Sequence, residues 1–83
     1  MGSRMTGRTV IITGGASGIG LGISKGLAAE GANVVIADLN LEAAESAAGE
    51  ITKAGGKAIA AHVDVTKRAS VAAGIELAVK TFG

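Results

Sequence analysis

The chain has 83 residues, 8 Lys and Arg against 7 Asp and Glu, one Phe, and no Pro, Cys, Trp or Tyr. With a net charge of +1 and no basic stretch, it lacks the concentrated positive face and stacking aromatics of a nucleic-acid binder. A core this small, without disulfides or a cluster of metal-type ligands, is marginal by itself, so the chain is expected to belong to a larger folded unit.

In chain order, Met1-Gly2-Ser3-Arg4-Met5-Thr6 fits the N-myristoylation template. Gly-Ser-Arg before a second methionine reads instead as a cloning scar over residues 1–4, with a natural start at Met5. The stretch Arg8 to Thr13 is predicted as a strand apolar on both faces, as a covered parallel strand must be. A glycine-rich turn, Gly14 to Gly20, follows. A helix over about Gly18 to Glu30 then carries Ile19, Ile23 and Leu27 as its apolar stripe. Gly22 and Gly26 beside that stripe are expected where backbone presses on a neighbour, and Gly31 ends the helix. Lys25 reads as a solvated surface charge.

Asn33 to Asp38 is a second buried strand. Asn40 is placed to cap a helix running to about Ala54, with Glu42 and Glu45 early and Lys53 late, as the helix dipole favours. Its stripe is Leu41, Ala44, Ala48 and Ile51, and Gly55-Gly56 stops it. Lys57 to Val65 is the third strand. Thr66 is placed to cap a third helix with Val71, Ile75, Ala78 or Val79, and Phe82 along one face. Alternating strands and crossover helices define an α/β fold with a parallel sheet. Apolar runs such as Val34 to Ala37 are too short to cross a bilayer, and no leader precedes Thr9. The lack of cysteine mildly favours a reducing compartment, and a cytoplasmic location is expected.

The turn Thr13-Gly14-Gly15-Ala16-Ser17-Gly18-Ile19-Gly20 lies between a strand and a helix. Gly14 permits a sharp turn, Gly18 lets backbone approach a phosphate, and Gly20 lets the helix lie close to the sheet. The helix amides then point at a pyrophosphate, with Ser17 as a further donor. A glycine turn used only for packing is the plainer alternative. No Gly-Lys-Ser/Thr follows, which excludes a P-loop triphosphate site. Asp38 ends the second strand, where a carboxylate accepts from ribose hydroxyls and repels a 2′-phosphate. Capping the next helix is its alternative role. No Arg or Lys stands at Gly15 to Ser17 or at Leu39, so NAD is expected over NADP. Asp64, followed by Val65, is placed to accept from an adenine amino group, or else to cap the third helix. His62 reads as a half-buried strand residue rather than a catalyst.

Thr13, Gly14, Gly18, Ile19, Gly20, Asp38, Asp64 and Val65 together resemble the short-chain dehydrogenase/reductase family, over essentially Met5 to Gly83. The spacing resembles the ordinary-length branch, not the extended, epimerase-like one. The resemblance implies a Rossmann-type doubly wound sheet of which only the first βαβαβα half is present, with residues 5–83 as the NAD-binding half of one domain. It implies a whole protein of about 250 residues that interconverts a secondary alcohol and a ketone, often as a homotetramer or homodimer. The family's Asn-Asn-Ala-Gly segment, catalytic Ser and Tyr-x-x-x-Lys have no counterpart here, and the chain has no tyrosine. No catalytic residue or metal ligand is therefore assigned. The alcohol or ketone is expected to bind in the remainder, and the segment alone is expected to be inert. A stand-alone dinucleotide-binding or assembly module is the alternative.

Overall fold

The structure is a computed structural model that describes residues 6–83; the expected scar at 1–4 and start at Met5 lie outside the described residues. The elements run β1 (Thr9–Thr13), α1 (Gly18–Ala29), β2 (Asn33–Asp38), α2 (Leu41–Lys53), β3 (Lys57–His62) and α3 (Arg68–Phe82). The strands form one parallel sheet in the order β1-β2-β3, with Thr9 beside Asn33 and Asn33 beside Lys57 in register. This is the Rossmann-type βαβαβα arrangement that the alternating pattern implies.

The two faces of the sheet bury different residues. Val34 and Ile36 of β2 pack with Ala28 of α1 and with Ala44, Ala47, Ala48 and Ile51 of α2. Val35 and Ala37 point the other way and pack with Ala61, Val63 and Ala78, the last from α3. The period-2 alternation of a strand thus divides β2 between two cores, and Val34 to Ala37 is buried throughout. β1 contributes Val10 and Ile12 to one core and Ile11 to the other. It stays only partly buried, because no strand pairs with its other edge among the described residues.

Several boundaries and faces differ from the sequence expectation. β3 ends at His62, not Val65, because β2 ends at Asp38 and offers one last acceptor, the Asp38 carbonyl, to the Val63 N–H at 3.0 Å. α3 begins at Arg68 with Lys67 in the cap position rather than Thr66. Thr66 is drawn into a turn on Asp64 instead. The stripe expected for α1 also faces elsewhere: Ile19 and Ile23 are exposed, Leu27 is half-buried, and Ser24 and Ala28 are the residues turned inward. Ser24 tolerates this position because its hydroxyl donates to the Gly20 carbonyl at 2.8 Å. Gly22 and Gly26 have open space where a Cβ would stand, so close approach does not account for them. Leu41 and Ile75 are exposed as well. On α3 it is Gly74 that faces the sheet, since a Cβ there would come within 2.8 Å of Val63 Cγ2. Lys25 is exposed, as expected, and its Nζ donates to Glu50 Oε1 at 3.1 Å, tying α1 to α2.

Ile36 lies at the centre of the sheet with no exposed surface. Ile36→Ala should cost about 2–5 kcal/mol through lost burial and a cavity, read from the urea midpoint. Ile75→Ala, on an exposed position, should change stability by no more than about 0.5 kcal/mol.

Candidate functional site

Parallel strands bring their carboxyl ends to one edge, and the sequence-predicted site residues all lie along it. β1 passes from Thr13 into Gly14, whose N–H donates to the Ala37 carbonyl at 2.8 Å. The turn is thereby hydrogen-bonded to β2 at its first residue. Gly14 has φ +67° and Gly18 φ +57°. This left-handed region costs a residue with a side chain about 1–2 kcal/mol. A Cβ on Gly20 would collide with the carbonyl oxygen of Gly14 and lie 3.0 Å from its carbonyl carbon. The close approach expected of Gly20 is therefore made against the turn itself. At Gly18 a Cβ would meet no described residue outside its chain neighbours and its own helix within 4 Å, so its glycine answers to φ. Gly15, to which the sequence assigns no role, is buried; a Cβ there would stand 3.0 Å from the Ile12 carbonyl and 3.1 Å from Ser24 Oγ.

The first turn of α1 is electrostatically open. Ser17 occupies the cap position in an extended conformation, its side chain makes no capping bond, and no acidic residue follows in the first turn. Helix α2 is the contrast within the same chain: Asn40 Oδ1 accepts from the Ala43 N–H at 3.1 Å, and Glu42 sits in the first turn. The α1 amides and the positive end of its dipole thus face the strand edge with no partner among the described residues in an anion's place.

Asp38 closes β2 and does not cap α2, since Asn40 does. Its Oδ1 accepts from the Asn40 N–H at 3.0 Å, and its other oxygen has no partner among the described residues. Asp38, Leu39, Asn40, Leu41, Glu42 and His62 line one open groove. His62 is exposed, not half-buried as expected, because β3 ends at this residue. Asp64 organises the step from β3 into α3: its Oδ1 accepts from Thr66 Oγ1 at 2.6 Å and from the Thr66 N–H at 3.0 Å. Its own N–H donates to Ser70 Oγ at 2.8 Å, a partner that the sequence reading missed. The Thr66 hydroxyl, then the Thr66 amide, hold the Asp64 carboxyl below the usual aspartate range, with a smaller contribution from His62.

Ile19, Val65 and Leu39 expose 84%, 64% and 63% of their surface, more than any other large apolar residue described. All three belong to the loops and helix start on this edge. An edge that offers unpaired amides, an available carboxylate oxygen and exposed apolar side chains matches a ligand with anionic, polar and apolar parts.

The profile of the short chain dehydrogenase family matches residues 8–83. The chain belongs to this family of oxidoreductases. It is 48% identical over 83 residues to a 2,5-dichloro-2,5-cyclohexadiene-1,4-diol dehydrogenase of Sphingobium indicum, spanning 100% of this chain and 33% of that one. Identity to a cyclohexanol dehydrogenase of Acinetobacter sp. is 40% over 83 residues, again spanning 100% of this chain and 33% of the relative. Among solved structures, a 7α-hydroxysteroid dehydrogenase complexed with NADH and 7-oxo glycochenodeoxycholic acid superposes with a TM-score of 0.93 at 36% identity. That superposition covers 99% of this chain and 32% of the other. The chain thus spans about a third of the length of the curated relatives it matches.

The Asp64 contacts carry a pH signature. A carboxyl held low in the folded state stabilises the fold above the ordinary aspartate value of about 3.9 and loses that contribution as pH falls through its lower folded value. An NMR titration should place the Asp64 midpoint below about 3.9. Thr66→Ala, which removes the hydroxyl and keeps the amide, should move that midpoint upward.

Proposed function

We propose that this chain is the NAD(H)-binding half, residues 5–83, of an enzyme that interconverts a secondary alcohol and a ketone by hydride transfer. The observation that carries the reading is the first turn of α1, without a side-chain cap or an acidic residue, directly behind a Gly14–Gly20 turn that holds Gly14 and Gly18 at positive φ. Gly14 and Gly18 at positive φ and Gly20 against the Gly14 carbonyl form a cradle that side chains would fill or distort. That shape and its charge fit a pyrophosphate.

In this reading the amides of Gly18, Ile19 and Gly20, with the Ser17 hydroxyl, bind the pyrophosphate. Asp38 accepts from the adenosine ribose hydroxyls through the oxygen not used by Asn40. Leu39 and Val65 flank the adenine, and Asp64 accepts from its amino group. When bound, the nicotinamide supplies the hydride acceptor or donor. The chain's own residues hold and orient the cofactor, and no residue here is assigned to proton transfer. A small alcohol or ketone would bind the remainder of the protein. The relatives named for cyclic alcohols and a steroid support that substrate class. We also propose a cytoplasmic homotetramer or homodimer for the whole protein.

Preference for NAD follows from charge. Asp38 opposes a 2′-phosphate, and neither Leu39 nor Gly15 to Ser17 provides a cation for it. Asp38→Ala in the intact protein should lower the NAD-over-NADP ratio of kcat/KM at least about tenfold, a shift of about 1.4 kcal/mol. Leu39→Arg should move it further toward NADP. An unchanged ratio in Asp38→Ala would leave Asp38 as a turn residue only and remove the ground for NAD.

A further inference from the structure

The groove beside Asp38 holds one residue that the reading above leaves without a task. Strand alternation places it. Asp38 follows Val34 and Ile36, and His62 follows Ala58 and Ala60, and all four of those residues pack on the face covered by α1 and α2. Asp38 and His62 are also register partners across β2 and β3. Neighbouring strands lie about 4.8 Å apart, so the two side chains stand next to each other on one face. His62 is exposed at the end of its strand and lines the same groove as Asp38 and Glu42.

We propose that His62 is a specificity residue for the adenosine end of the cofactor, a proton-dependent counterweight to Asp38 in refusing a 2′-phosphate. The inference rests on the dinucleotide reading and extends it. The charged groups that face His62 are Asp38 from β2, Glu42 from the first turn of α2, and Asp64 beyond its own strand. α3 packs on the opposite face of the sheet. Among the described residues that line the groove, the other charged ones, Asp38 and Glu42, are carboxylates, and His62 alone can become a cation.

With a neutral imidazole the groove presents two carboxylates, suited to the free hydroxyls of a ribose. Protonation sets one positive charge against them, directly beside Asp38. A 2′-phosphate then meets a smaller net negative field and a cationic N–H donor. The ribose hydroxyls of NAD, being uncharged, respond far less. Discrimination between the two cofactors should therefore fall as pH falls.

The test measures binding to the intact protein by calorimetry, with 5′-AMP and adenosine 2′,5′-bisphosphate as probes, at about pH 6 and pH 8. The preference for 5′-AMP should fall about fivefold more in the wild type than in His62→Gln between these values. His62→Gln carries the slope due to the titration of the probes' own phosphates. His62→Lys, a fixed cation, should lower the preference about tenfold at both pH values. Both substitutions fall on an exposed side chain, and unchanged thermal midpoints would confirm intact folds. Equal slopes in wild type and His62→Gln, with Asp38→Ala still shifting the preference, would overturn the role of His62 alone. Failure of the wild type to bind either probe would overturn the dinucleotide reading and this inference together.

Discussion

The candidate site depends on how closely α1 can begin against the end of β1. The Gly14 carbonyl occupies the space that a Cβ on Gly20 would need, so the first turn of the helix seats directly on the loop that precedes it. Gly14 is in turn hydrogen-bonded to the Ala37 carbonyl, one residue before Asp38. The Asp38 carbonyl then accepts from Val63, one residue before Asp64. A line of backbone contacts thus runs from the α1 amides through the ends of β1 and β2 to the turn after β3. Every candidate ligand contact hangs from that line, which is why site residues far apart in sequence share one edge.

The same chain treats two helix starts in opposite ways. At α2, the Asn40 side chain accepts from the Ala43 N–H and Glu42 stands in the first turn. At α1, an extended serine without a capping bond and a first turn of glycine and isoleucine leave the amides unpartnered among the described residues. Unpaired amides at a helix end cost free energy unless water or a ligand takes them. Helix α3 also starts without a side-chain cap or an acidic residue, so it is the Gly14–Gly20 turn with Gly14 and Gly18 at positive φ that sets the start of α1 apart.

Small residues set the distances between layers. Ala44, Ala47 and Ala48 let α2 lie close to the sheet, and Ala28 with Ser24 does the same for α1. On α3, Gly74 and Ala78 take the inward positions. The larger side chains Ile23, Ile75 and Val79 consequently remain on the outer faces of their helices. Apolar character and helical period identified these helices: on α3 the expected Val71, Ala78 and Phe82 do pack while Ile75 and Val79 stay exposed, and on α1 Ser24 and Ala28 turn inward in place of Ile19 and Ile23.

Element order, strand identity and the position of the glycine turn were legible from the amino acids alone, because β-branched runs, alanine-rich segments and glycine punctuation act locally. β2 and the capping by Asn40 are local in this sense, and the structure agrees with both. What depended on a partner was not legible. β3 stops at His62 because β2 has no further residue to pair with it. Thr66 leaves the cap of α3 because the Asp64 carboxylate attracts its hydroxyl and amide. The inward face of α1 is decided by Gly15 and Gly20 meeting their neighbours, and the pairing of His62 with Asp38 by sheet register. Sequence determined which elements form; contacts between elements decided where they end, which face they bury and which charges stand side by side.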